Sequence, residues 1–282
     1  MIGIASINYG LSPHPDFPPR HVTEGQTESQ KRHSQENIHP DHIQDVQKAL
    51  AHLHQHHKIG TPGYLICGHS CGATLAFQSL MKDWFGSNVK YPPEYPKPHP
   101  TNPQERASEQ SPFLSVTPPR AVIGLEGIYD IPEFVSFHKA EPYYLDFVKG
   151  ALGSDQSVWA DASTTNGTYK SLELAILGHS PNDEYVEQQQ TDLMATALFK
   201  QHFQQLFVRS DSDRPNHTSA GSLSQISTSQ QSKCLMKLSL KGKHDEIWSE
   251  GVELARVFEV ALAKIFNEDL SSYSDLGPAS VV

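Results

Sequence analysis

Short apolar runs alternate along this chain with stretches in which an apolar residue recurs every three or four positions. The first kind predicts buried strands and the second amphipathic helices. Residues 2–9, Tyr64–Cys67, Ala121–Leu125, Leu172–Leu177 and Leu235–Leu240 are the strand candidates. Between them, Ile43, Val46, Ala49, Leu50 and Leu53 mark one face of a helix that opens at His39-Pro40-Asp41 and ends near Lys58, before Gly60. Pro40 and Asp41 suit a first helical turn. A second helix starts at Ala73, and a third follows the strand at 172–177 through about residue 206. A last one runs from Glu250 to Phe266, with Val252, Leu254, Ala255, Phe258, Leu262 and Ile265 apolar. Strand and helix alternate throughout, a pattern that specifies an α/β fold: a mostly parallel sheet with helices on both faces.

Four stretches break the alternation. Residues 14–38 are polar and rich in Pro, Gln, Glu and His, and read as a loop. Residues 86–119 contain Tyr91-Pro92-Pro93-Glu94-Tyr95-Pro96-Lys97-Pro98, a proline density that excludes helix and central strand. Residues 209–233 are Ser- and Gln-rich, a composition that predicts disorder, and the tail after Asn267 is polar. The stretches at about 86–119 and 209–233 fall between elements, so the expectation is one domain spanning 1–282 with two insertions. Residues 131–169 are mixed and aromatic, with Phe134, Phe137, Tyr143, Tyr144, Phe147, Trp159 and Tyr169.

Composition narrows the function classes. The formal net charge of −10 argues against nucleic acid and anionic membrane as partners. No apolar run is long enough to span a membrane, and the N-terminus lacks the basic leader of a signal peptide. Three cysteines, Cys67, Cys71 and Cys234, form no disulfide framework and favour a reducing, cytoplasmic setting. The His-rich run 52–57 reads as a solvated helix end, so no metal and no cofactor is expected. A homodimer is compatible with the sequence.

The chemistry centres on Gly68-His69-Ser70-Cys71-Gly72, a G-x-S-x-G motif between an apolar strand and a helix. The strand-to-helix turn is so sharp that flanking side chains would clash, and glycine on both sides removes the clash while leaving Ser70 exposed. A serine hydroxyl is a weak nucleophile and needs a base, and the base needs an acid to orient it. With a nucleophile on such a turn, the chain order is Ser, then Asp or Glu, then His. Asp183, after the strand at 172–177, and His244, after the strand at 235–240, meet that order. Glu126, Asp130 and Glu184 compete for the acid role; Asp130 is the serious rival, with a turn-capping role before Pro132 as its alternative. His179 comes too early in the chain to be the base. His69 adjoins Ser70, cannot swing round to act as its base, and reads as a packing and hydrogen-bonding residue.

Together with Gly124-Leu125-Glu126-Gly127-Ile128-Tyr129-Asp130, Lys241-Gly242-Lys243-His244-Asp245-Glu246-Ile247-Trp248, Ser6-Ile7-Asn8-Tyr9 and His39-Pro40-Asp41-His42, the elbow string resembles kynurenine formamidase, an α/β-hydrolase family. The resemblance implies cleavage of the formamide of N-formyl-L-kynurenine to L-kynurenine and formate, in tryptophan breakdown toward NAD. It implies Ser70 as nucleophile, Asp183 as acid, His244 as base and the Cys71 N–H as an oxyanion donor. The family's upstream His-Gly-Gly-x-Trp motif, which supplies the other oxyanion donors, has no counterpart here. The expectation is therefore an N-terminally truncated relative lacking the family's first strands, with weakened turnover. A carboxylesterase of broad acyl range and a non-catalytic remnant are the alternative readings.

Overall fold

The computed structural model describes residues 3–12, 37–60, 63–81, 116–206 and 233–265. Among the described residues five parallel strands form one sheet in the order β1-β2-β3-β5-β4: β1 Leu65–His69, β2 Ala121–Leu125, β3 Leu174–His179, β4 Gln204–Leu206 and β5 Cys234–Ser239. Helix α1 Asp41–His57 precedes β1. Parallel strands need crossovers, and among the described residues helices lie on them: α2 Cys71–Gln78 after β1, α3 Ile131–Phe137, α4 Pro142–Leu152 and α5 Gln156–Ala162 after β2, and α6 Gln188–Phe199 after β3; α7 Glu246–Ser249 and α8 Val252–Ile265 follow β5.

Side-chain alternation sorts the central strands between two layers. Ala121, Ile123 and Leu125 of β2, Leu174 and Ile176 of β3, and Met236 and Leu238 of β5 pack with Ile247, Val257, Val260 and Ala261 of α7 and α8. Val122, Ala175, Leu177 and Leu235 point the other way, against Phe77 of α2 and Met194 and Leu198 of α6. Both faces are covered, so β2 and β3 are buried at every position and read as continuous apolar runs. Helices α3, α4 and α5 pack on one another through Phe134, Tyr144, Val148 and Trp159.

Two expectations need correction. Residues 3–9 form no strand. Ile4 is exposed, while Ile7 and Tyr9 rest against Ile43, Val46 and Leu50 of α1, and the Gly10 N–H donates to Asp45 Oδ2 at 3.0 Å. Extended chain becomes strand only when a neighbour completes its ladder, and among the described residues none reaches this segment. The helix after β3 stops at Phe199, and residues 204–206 instead form β4, paired with Cys234, Leu235 and Met236 of β5. The aromatic stretch 131–169, unassigned from its pattern, is mostly helical. The polar loop 14–36, most of the two insertions and the tail lie outside the described residues.

Candidate active site

The pairing register sets the strand ends level. His69 lies beside Leu125, Leu125 beside Gly178, and His179 beside Ser239. The segments leaving β1, β2, β3 and β5 therefore emerge at one carboxyl edge, where α/β sheets place their ligand sites.

At the end of β1 the chain turns into α2 within one residue, Ser70, whose backbone stands at φ 55°, ψ −127°. For a residue with a Cβ this is a strained conformation, costing on the order of 1–3 kcal/mol. It is held by two backbone bonds, Ser70 N–H to the Leu125 carbonyl and Ala73 N–H to the Ser70 carbonyl, both 2.9 Å. The two motif glycines differ in what they do. A Cβ on Gly68 would stand 2.0 Å from the Gly72 carbonyl oxygen, whereas one on Gly72 meets nothing within 4 Å. Glycine is thus required for space only at position 68, which corrects the expectation of clashes on both flanks. The Cys71 N–H lies in the first turn of α2, where amides have no intrahelical acceptor. The Cys71 thiol is exposed and sits 3.6 Å from the Tyr9 hydroxyl.

The structure brings Asp183 and His244 together. His244 Nδ1 donates to Asp183 Oδ2 at 2.9 Å, with both side chains withdrawn from solvent. Asp183 Oδ1 also accepts the Tyr185 and Val186 N–H groups at 2.8 and 3.0 Å. Burial pushes the Asp183 carboxyl up, but the His244 bond and these backbone donors outweigh it, and its pKa ends below the usual range. Burial likewise pushes the His244 ring down; the Asp183 bond and charge, then the charges of Glu126 and Asp245, reverse this and leave its pKa raised. A raised histidine beside a depressed aspartate is the arrangement that stabilises an imidazolium. The rival Asp130 instead caps α3, accepting from the Glu133 N–H and the Thr165 hydroxyl. Among the described residues no hydrogen bond joins Ser70 Oγ to His244. The rings of His244 and His69, the residue before Ser70, have centroids 4.4 Å apart.

Several neighbours make contacts with the pair that the sequence did not assign, although the sequence does read His69 as a packing and hydrogen-bonding residue. His69 Nε2 lies 3.0 Å from the His244 carbonyl and 3.1 Å from Glu126 Oε2; both are acceptors, so this nitrogen carries the proton. The Ser180 hydroxyl donates to the Gly242 carbonyl and ties the two partner loops together. Glu184 accepts the His244 N–H at 3.1 Å, and the Tyr185 ring meets the His244 ring edge-on at 5.4 Å. The His179 ring is 3.9 Å from Asp183 and bonds Thr191 through Nδ1; burial pushes its pKa down. Donor atoms of His69, Glu126 and His244 lie within 4.8 Å of one another, close enough to hold a cation. The hydrogen bonds just described already use those atoms.

An all-parallel covered sheet, a strained serine at the turn from β1 into α2 and an aspartate–histidine pair on the later loops of the same edge decide the fold. The chain has the α/β-hydrolase fold. No protein-family model matches it. Among curated proteins it is 29% identical over 274 residues to a kynurenine formamidase-like hydrolase of Fusarium equiseti, covering 95% of this chain and 72% of the relative. It is 29% identical to a kynurenine formamidase of Aspergillus versicolor, over 70% of this chain and 62% of that one. A kynurenine formamidase of Meyerozyma guilliermondii matches at 28%, over 57% of this chain and 53% of that protein. The hydrolase thus spans less than two thirds of the last two. Among solved structures, an acetyl ester-xyloside bifunctional hydrolase from Caldicellulosiruptor lactoaceticus overlays with TM-score 0.49 at 16% identity, over 83% of this chain and 69% of that one.

Proposed function

We propose that this hydrolase cleaves arylformamides, with N-formyl-L-kynurenine as substrate and L-kynurenine and formate as products. The observation that carries the reading is the 2.9 Å Asp183–His244 bond on the loop edge that also holds the strained Ser70 turn. The similarity to kynurenine formamidases supports the choice of substrate.

In the proposed cycle, His244 takes the Ser70 proton as Oγ attacks the formyl carbon. Asp183 keeps the ring in the tautomer that presents Nε2 and stabilises its charged form. The Cys71 N–H donates to the developing oxyanion, an interaction stronger in the transition state than in the bound substrate. Protonated His244 then gives its proton to the aniline nitrogen as the C–N bond breaks, leaving formyl-Ser70. Water, deprotonated by His244, attacks that ester and releases formate, and Ser70 regains its proton. An aromatic side chain beside His244 suits an aryl substrate: the half-exposed Tyr185 ring meets the His244 ring edge-on.

The test measures formate release from N-formyl-L-kynurenine by the wild-type protein and by Ser70→Ala, with a short p-nitrophenyl ester as comparison. Turnover of the formamide that Ser70→Ala abolishes is the expected result. Turnover of the ester alone, or equal activity in the variant, would sink the proposal.

A further inference from the structure

Glu126 occupies a position that packing does not explain. It directly follows β2, its side chain is fully buried, and its backbone stands at φ 49°. A buried carboxylate and a left-handed non-glycine residue are each costly, and both persist only where the surroundings impose them. The surroundings are the edge just described. The Glu126 N–H donates to the Gly178 carbonyl at 2.8 Å, and Oε1 accepts the Ser180 N–H at 3.3 Å. Oε2 accepts from His69 Nε2 at 3.1 Å and faces His244 Nδ1 at 3.5 Å. One carboxylate oxygen thus touches the residue before the nucleophile and looks at the nitrogen that Asp183 holds.

We propose that Glu126 is a second carboxylate partner of His244, a positioning residue that shares with Asp183 the charge of the imidazolium and, through His69, fixes the backbone of the His244 loop. The inference rests on the reading of Ser70, Asp183 and His244 as the catalytic set. Its geometry has two arms. The Oε2–Nδ1 approach acts on the ring directly. The Oε2–His69 bond acts on the loop, because the same His69 nitrogen donates to the His244 carbonyl. The other ionisable groups around the ring are Asp183, Glu184 and Tyr185 from the loop after β3, His179 from β3 itself, His69 from β1 and the adjacent Asp245. A purely structural glutamate would lower activity without changing which protonation state is active. A charge partner of His244 changes the proton affinity of the ring.

The experiment compares kcat/KM across pH for wild type, Glu126→Gln, Asp183→Asn and the double variant, with Ser70→Ala as control. Activity needs the neutral ring, and removing a facing negative charge lowers its pKa. In Glu126→Gln the acidic limb is therefore expected to move down by about one pH unit. Because Glu126 is the remaining carboxylate at Nδ1 once Asp183 is neutral, its loss is expected to cost about tenfold more in the Asp183→Asn background than in wild type. An unmoved limb together with equal costs in both backgrounds overturns the proposal. If Glu126→Gln does not fold, Glu126→Asp reads the same downward shift at smaller size, since the charge is kept but withdrawn by one methylene; an unmoved limb there overturns it equally. Full activity in Ser70→Ala would instead remove the catalytic set on which the inference stands, so the two failures are distinguishable.

Discussion

Replacing Gly68 by Ala adds one methyl group at the tightest point of the turn that carries Ser70. The new Cβ would lie 2.0 Å from the Gly72 carbonyl oxygen, 2.3 Å from its carbon and 2.6 Å from the Ala73 nitrogen. All three are backbone atoms, so no rotamer change relieves the clash. Reaching an ordinary contact requires α2 and the end of β1 to part by about 1 Å or more. Ser70 sits between them, bonded sideways to the Leu125 carbonyl of β2 and accepting from the Ala73 N–H of α2, so parting the two strains both bonds. A displacement of about 1 Å at a reacting atom costs on the order of 10²-fold in rate, and forced overpacking destabilises by about 1–3 kcal/mol. Gly72→Ala is the matched control. It meets nothing within 4 Å, and alanine in a helical turn is favoured over glycine by about 0.5–1 kcal/mol. The assay is kcat/KM for N-formyl-L-kynurenine together with a thermal melt of each protein. Gly68→Ala should lose about two decades of activity and several degrees of Tm, while Gly72→Ala should melt at or above wild type. Equal melting temperatures for the two variants would refute the steric account of the turn.

Three further outcomes follow from the geometry. Asp183→Asn should lower kcat by roughly 10³–10⁴-fold with little change in KM, because the amide favours the wrong His244 tautomer; a loss below tenfold would exclude Asp183 as the orienting acid. Tyr185→Ala should raise KM for the aryl substrate about tenfold and Tyr185→Phe should leave it near wild type, so equal effects in both would show that the hydroxyl, not the ring, matters. Burial pushes the His39 ring down to about 3 and the His42 ring to about 4, the latter partly opposed by Asp45. Both rings are neutral when folded and take up protons from about pH 6.5 when unfolded, so their stabilisation is complete above that pH and is lost as pH falls toward the folded values. Each ring should remove about 2 kcal/mol between pH 7.5 and 5.0. His244, with its raised pKa, acts in the opposite sense: its stabilisation is complete below about pH 6.5 and is lost as pH rises through the folded value. The check is therefore a difference: urea unfolding of His42→Gln should show a pH dependence flatter than wild type by about 2 kcal/mol over that interval, and parallel curves would contradict it.

What the sequence determined by itself is local. The apolar run Ala121–Leu125 became β2 without a residue's change, because a strand buried on both faces is apolar at every position. The periodic face of α1 was legible for the matching reason that it buries one stripe; α8 was legible as a helix, but the residues it buries are Val257, Val260, Ala261 and Ala263, and Val252, read as part of its apolar face, is exposed. The elbow was legible because its steric demand falls on residues adjacent in the chain. Tertiary structure decided everything that depends on a partner distant in sequence. Residues 3–9 carry a strand-like pattern but lack a ladder among the described residues, and residues 204–206, read as helix, found one in β5. Asp183 and Asp130 both follow strands, and only the folded loops place one 2.9 Å from His244 and the other on a helix cap. Glu126 looked like one more carboxylate after a strand. Its contacts with His69 and His244 lie 57 and 118 residues away along the chain, and they exist because four parallel strands in register end at the same level.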